Sequence, residues 1–185
     1  VRIISGLYGG RRFDAPRNLP ARPTTDIAKE SLFNILVNRM ELEGIHALDL
    51  FSGTGSISFE LVSRGAARVI SVERGNIQQN YIAQIHDRLQ LGTEHQLVRG
   101  DVFRYLNTCR ESFDFIFADP PYDLRELPDV PRLVLESKLL RPGGIFVMEH
   151  GKTNDFSDHP LFVEMRTYGA VHFSIFCRPE EESSL

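Results

Sequence analysis

Between residues 45 and 149 short apolar runs alternate with stretches whose apolar positions recur every three or four residues. The runs at 45–51, 68–73, 96–99, 113–118 and 145–149 predict five strands. Residues 56–64 predict a short helix ending at Gly65. Ile77, Tyr81, Ile85 and Leu89, four apart, mark a second helix. A third runs over about 102–109, and a fourth covers 130–140 and stops at Pro142-Gly143-Gly144. Before this block, Ala28, Leu32, Ile35, Leu36 and Met40 form an apolar stripe at helical spacing, capped at Thr24-Thr25-Asp26. After it, 162–167 and 171–178 flank Tyr168-Gly169-Ala170 and predict an antiparallel hairpin. The strand–helix rhythm calls for an α/β fold: a mostly parallel, seven-stranded sheet with helices on both faces and an antiparallel edge.

Residues 2–13 predict a small β-hairpin around Gly6 and Gly9-Gly10, and the prolines of 14–24 an extended linker. The expected division is an arm at 1–24, a domain at 25–178 and an acidic tail at 179–185. At 185 residues, 42% hydrophobic and 25% charged, the composition is that of an ordinary globular domain. No apolar run approaches the ~20 residues of a membrane span. Nor does the N-terminus show a signal peptide. Cys109 and Cys177 are expected to be buried free thiols. Net charge is −4, yet the arm carries Arg2, Arg11, Arg12, Arg17 and Arg22 against Asp14 alone. A basic arm on an acidic body suggests a local phosphate-contacting surface, with Arg11, Arg12, Arg17 and Arg22 as candidates.

Two groups carry the chemistry. After the first strand comes Asp49-Leu50-Phe51-Ser52-Gly53-Thr54-Gly55, whose glycines would let backbone approach a ligand. A dinucleotide turn needs a third glycine three places on, where Ser58 stands, which weakens a nicotinamide reading. Glu73 ends the second strand, where such folds bind ribose hydroxyls. Asp101 follows the third, able to accept from an adenine amine, with a backbone contact from Val102. After the fourth strand stands Asp119-Pro120-Pro121-Tyr122. Asp119 and the Pro120 carbonyl are two acceptors for an amine, and Tyr122 is a stacking face for a flat ring. The arrangement suits an exocyclic amine whose lone pair must be drawn out of the ring before it can attack.

Together these motifs resemble the class I S-adenosylmethionine (SAM)-dependent methyltransferases, which are Rossmann-like. The resemblance implies that Phe51, Ser52, Gly53, Thr54 and Gly55 lie beside the methionine part of SAM, Glu73 on the ribose and Asp101 with Val102 on the adenine. Asp49 would order the loop or reach the methionine amine through water. Asp119, Pro120, Pro121 and Tyr122 would be the catalytic element of amino-methylating members, with no metal. Arg2-Ile3-Ile4-Ser5-Gly6, Gly10-Arg11-Arg12, Arg22-Pro23-Thr24-Thr25-Asp26, Lys29-Glu30-Ser31-Leu32-Phe33-Asn34-Ile35-Leu36 and Ser63-Arg64-Gly65-Ala66 narrow it to the bacterial RsmD family. That family implies methylation of the N2 amine of guanine 966 in 16S rRNA, on assembled small ribosomal subunits, by a cytoplasmic protein expected to be a monomer. The base must then be extruded or unpaired. The alternatives are a DNA adenine-N6 or cytosine-N4 methyltransferase, a non-catalytic nucleic-acid-binding assembly module, and a nicotinamide-dependent dehydrogenase. The N-terminus of the first helix is expected to face the SAM carboxylate, and Glu149-His150 to be a structural strand end.

Overall fold

The computed structural model describes residues 1–19 and 25–182. Five helices, α1 (Asp26–Val37), α2 (Ser56–Ser63), α3 (Asn76–Arg88), α4 (Val102–Thr108) and α5 (Val130–Glu136), surround seven strands. These are β1 (His46–Leu50), β2 (Arg68–Glu73), β3 (His95–Arg99), β4 (Phe113–Ala118), β5 (Leu140–His150), β6 (Phe162–Tyr168) and β7 (Val171–Cys177). They form one sheet in the order β3-β2-β1-β4-β5-β7-β6. The first five strands in that order run parallel, and β7 runs antiparallel to both its neighbours. Strand order grows outward in one direction from β1 through β2 to β3, and in the other through β4 to β5. The C-terminal ends of β1 and β4 therefore flank a topological switch point, where open α/β sheets bind ligands.

Side-chain alternation decides which helix covers which face. Ala47, Val69, Phe115, Phe117 and Val147 point into one core with Leu32 and Phe33 of α1, Phe59 of α2 and Ile82 of α3. Leu48, Leu50, Ile70, Ile116 and Met148 point into the other, with Val102 of α4 and Val134 of α5. Both faces are covered, so the parallel strands are apolar on both sides and read as continuous runs rather than alternating ones.

Three elements differ from expectation. The arm holds a single antiparallel bridge, Arg2 to Arg12, flanked by backbone bonds from Ile3 N to Arg11 O and Phe13 N to Val1 O. Pairing does not extend beyond it on one side, where the Ile4 and Ser5 amides bond to the Glu60 carboxylate of α2, and Ile3 and Phe13 are buried in the core. The helix expected over 130–140 ends at Glu136. Lys138, at φ 64°, turns the chain there, and Leu140 already belongs to β5. Pro142-Gly143-Gly144 is a bulge within that strand, where the register to β4 shifts, rather than a helix stop. Met40 lies past the end of α1 but still packs against its core. Cys109 and Cys177 are free and half-buried.

Candidate active site

A cavity of about 860 Å³ opens at the C-terminal ends of β1 to β4. Its wall starts at the turn after β1. Phe51, at φ 56°, reverses the chain and Gly53, at φ 57°, continues it, so a run of backbone faces the cavity. A Cβ at Gly53 would meet nothing within 4 Å, so the space before it is open. Gly55 has another task. It is off the wall, and a Cβ there would lie 2.8 Å from Phe59 Cε2 and 3.1 Å from Ile82 Cγ1. Its missing side chain lets α2 pack on α3.

Glu73 ties the wall together. Its Oε1 accepts the Gly53 amide at 2.8 Å, and its Oε2 accepts the Gly75 amide at 2.8 Å. One carboxylate so holds the turn after β1 against the turn after β2. Asp101 Oδ2 accepts the Arg104 amide at 3.0 Å and caps α4. Ser52 donates its hydroxyl to the Val72 carbonyl at 3.1 Å, closing the loop against β2.

The opposite wall is Asp119, Pro120, Pro121 and Tyr122. The Asp119 amide bonds to the Leu50 carbonyl at 3.3 Å, which fixes the start of the segment beside the glycine turn. Leu124 N then bonds to Pro121 O at 3.0 Å, bending the segment back over the cavity. Tyr122 is 45% exposed, large for an aromatic ring, at the rim of the cavity. Gly151 lies beneath it, its Cβ direction 3.5 Å from the tyrosine ring.

Eleven of the sequence candidates thus line one cavity: Phe51, Ser52, Gly53, Thr54, Glu73, Asp101, Val102, Asp119, Pro120, Pro121 and Tyr122. Asp49 does not. Its side chain is buried behind the turn, where Ser58 Oγ donates to Oδ2 at 2.6 Å. Burial pushes its carboxyl up to about 7, against the lowering by Ser58 and with a further push from the Glu73 charge. Of the two roles weighed for Asp49, this placement favours ordering the loop. Arg11, Arg12 and Arg17 are exposed on the arm, away from this wall, and Arg22 lies outside the described residues. Glu149 and His150 are buried off the wall, His150 Nε2 pairing with Ser174 Oγ at 2.7 Å.

Sequence reasoning missed Arg74, Gln78, Phe103 and Arg125, which also line the cavity. Arg74 and Phe103 were signalled by place alone, one residue beyond Glu73 and Val102. Gln78 and Arg125 had no signal, since only the fold brings them round. Among the described residues no group of three or more His, Cys, Asp or Glu could hold a metal ion, and no helix is long and apolar enough to cross a membrane.

A family model described as Conserved hypothetical protein 95 matches residues 1–177. YlbH of Bacillus subtilis (strain 168) is 32% identical over 182 residues, covering 95% of this chain and 98% of that protein. The ribosomal RNA small subunit methyltransferase D of Buchnera aphidicola subsp. Baizongia pistaciae (strain Bp) is 29% identical, covering 95% of this chain and 91% of its own. Among solved structures, a hypothetical protein of Thermus thermophilus, TTHA0928, superposes with a TM-score of 0.82 at 28% identity, over 95% of this chain and 98% of that one.

Proposed function

The chain belongs to the Conserved hypothetical protein 95 family, the RsmD-type class I methyltransferases, and on that premise we propose that it transfers the methyl group of SAM to the N2 amine of a guanine in 16S rRNA. The family resemblance narrows the target to guanine 966 in the small subunit, with the protein acting as a cytoplasmic monomer. One observation carries the reading: the glycine turn, two strand-end acids and Asp119-Pro120-Pro121-Tyr122 line a single cavity at the switch point.

The residues fit this cofactor. Open space before Gly53 receives the amino-acid part, and Glu73, already aligned by two amides, keeps acceptor capacity for the ribose hydroxyls. Asp101 is held by its cap to Arg104 and offers its other oxygen to the adenine amine, with Val102 and Phe103 as apolar wall. When bound, SAM supplies an electrophilic methyl on a sulfonium. The chain's own residues prepare the nucleophile. Asp119 and the Pro120 carbonyl accept the two amine hydrogens, and Tyr122 stacks on the ring and fixes its plane. As nitrogen gains positive charge, the Asp119 carboxylate stabilises it. The arm's Arg11, Arg12 and Arg17 are proposed to hold phosphates around the extruded base, positioning it without reading sequence.

The test is transfer of labelled methyl from SAM to undermethylated small subunits, naked rRNA and DNA in parallel, followed by nucleoside analysis. N2-methylguanine in rRNA is the expected product. N6-methyladenine or N4-methylcytosine in DNA would overturn the substrate, and no transfer to any of the three would overturn the activity.

A further inference from the structure

A line of buried polar groups crosses the apolar face of the sheet and has no part in the chemistry above. Asp49 on β1 accepts from Ser58 Oγ on α2 at 2.6 Å. Ser58 Oγ lies 2.6 Å from Ser71 Oγ on β2. Ser71 Oγ lies 2.8 Å from His95 Nε2 on β3, and His95 Nδ1 lies 2.9 Å from His86 Nδ1 on α3. Asp49, Ser58, Ser71 and His95 are each at most 2% exposed, whereas His86 is half-exposed on the helix. Four hydrogen bonds in series therefore join a carboxyl behind the glycine turn to the solvent. A buried polar group costs stability unless it is fully paired, so a chain this long in a core demands an explanation.

Each serine in the line can donate one way only, and each neutral imidazole carries one N–H, so the line has two self-consistent directions. With Asp49 ionised, every donor points towards it: His86 Nδ1–H to His95, His95 Nε2–H to Ser71, Ser71 to Ser58, Ser58 to Asp49. With Asp49 protonated, every donor points away, and His95 carries its proton on Nδ1. The charge of Asp49 and the tautomer of His95 are one variable.

We infer that this line is a proton wire, and that seating a cationic cofactor in the cavity drives the Asp49 proton along it to His86. The inference rests on the SAM reading. Glu73 is the charged group that acts on Asp49, and it also lines the cavity. The cationic amino-acid part of SAM, seated before Gly53 at the turn that Asp49 lies behind, acts on Asp49 with the opposite sign and favours the carboxylate. β4 sets Phe117 beside Asp49, α2 sets Phe59 against His95, and α3 contributes His86. Burial and the neighbouring His86 hold His95 down at about 3, so it passes a proton without keeping one.

The step balances. The Asp49 O–H breaks as Ser58 gains that proton, and Ser58 gives its own to Ser71. Ser71 gives its own to His95 Nε2, and His95 Nδ1–H passes to His86 Nδ1. His86 becomes an imidazolium and releases its Nε2 proton to water. The net change is one proton lost from Asp49 and one released to water, with every group between left neutral.

Nitrogen NMR of histidine tautomers in the whole protein tests this, with SAM as the probe. At pH 7 His95 is expected to shift from a mixture towards the Nε2–H form on adding SAM. Calorimetry in phosphate and Tris should show release of about half a proton per SAM, since Asp49 titrates at about 7. Without SAM, the Nδ1–H form should fade from pH 6 to pH 8.5. Ser71→Ala should abolish both responses of His95. Should that variant fail to fold, Asp49→Asn should abolish the pH response. SAM bound with no change at His95 overturns the wire and leaves the cofactor reading standing. No SAM binding, with the pH response intact, overturns the cofactor reading and the cofactor-driven half of the inference. A His95 that ignores pH, or that responds normally in Ser71→Ala, overturns the wire itself.

Discussion

Gly53 and Gly55 both stand at positive φ, two residues apart in one turn, and their surroundings predict opposite failures. Gly55→Ala puts a methyl 2.8 Å from Phe59, so it should destabilise the fold by about 1–3 kcal/mol and lower Tm, through overpacking. Gly53→Ala meets no atom within 4 Å and should cost only about 1–2 kcal/mol of backbone strain. It should weaken SAM binding more than stability, because the added methyl projects towards the ligand. Thermal melts and SAM titrations on the two variants separate the cases. Asp119 makes a third. Asp119→Ala should leave SAM affinity near wild type and cut kcat roughly 10²–10³-fold, because the carboxylate meets charge that appears during transfer. Equal losses in affinity and kcat would place Asp119 on the cofactor. At this scale the sequence showed which residues mattered better than how. Spacing put Asp49 beside the ligand loop, but its side-chain direction follows strand alternation and burial, which sent it behind the turn to Ser58.

Helix α2 is the element on which the arm hangs. Glu60, with no exposed surface, accepts the amides of Ile4 at 2.8 Å and Ser5 at 3.0 Å. It also pairs with Lys29 of α1 at 3.2 Å and Arg64 at 2.9 Å. Lys29 Nζ bonds in turn to the Arg2 carbonyl at 2.7 Å and to Ser56 Oγ at 3.0 Å, at the first residue after the glycine turn. Gly6 lies so close that a Cβ would be 2.0 Å from the Ser63 carbonyl oxygen. Removing Glu60 strands a buried ammonium, and breaking such a pair costs about 3–5 kcal/mol. Glu60→Ala should therefore lower Tm strongly, and more than Lys29→Met, which leaves Glu60 three other donors. Burial pushes the Glu60 carboxyl up, but the Ile4 amide, Lys29, Arg64 and the Ser5 amide outweigh it and hold it below its ordinary 4.5. A lowered carboxyl contributes stability that is full above that value and lost as pH falls through the folded one. Protection of the Ile4 and Ser5 amides against exchange, relative to their intrinsic rates at each pH, should fall on acidification below 4.5, ahead of the sheet. None of this was legible in the chain, because no local pattern pairs Lys29 with Glu60 across two helices. The elements themselves were legible, since strand and helix periods differ and buried parallel strands are apolar throughout. The α5–β5 boundary escaped because the turn uses Lys138 at positive φ, where a glycine would have announced it.

The molecule as a whole separates a cavity at the switch point from a basic arm fastened to the sheet's other helices. Net charge of −4 gives no general attraction for nucleic acid, so association must depend on local cation groups. Arg11 and Arg12 are exposed and form no ion pair among the described residues, which leaves their charge available to phosphates. Each phosphate neutralised releases counterions and adds about 0.7–0.9 to the slope of log K against log salt. Replacing both with Ala should therefore reduce the magnitude of that slope for rRNA binding by roughly 1.5 and weaken binding at low salt more than at high salt. SAM affinity should stay unchanged, because neither side chain lines the cavity. Titrations of rRNA across a salt series, with SAM binding measured on the same protein, check both halves. An unchanged slope would move the RNA contact from the arm to cations at the cavity such as Arg74 and Arg125. A changed slope with lost SAM affinity would instead mean that the arm's charge supports the glycine turn through α2, the element that both share.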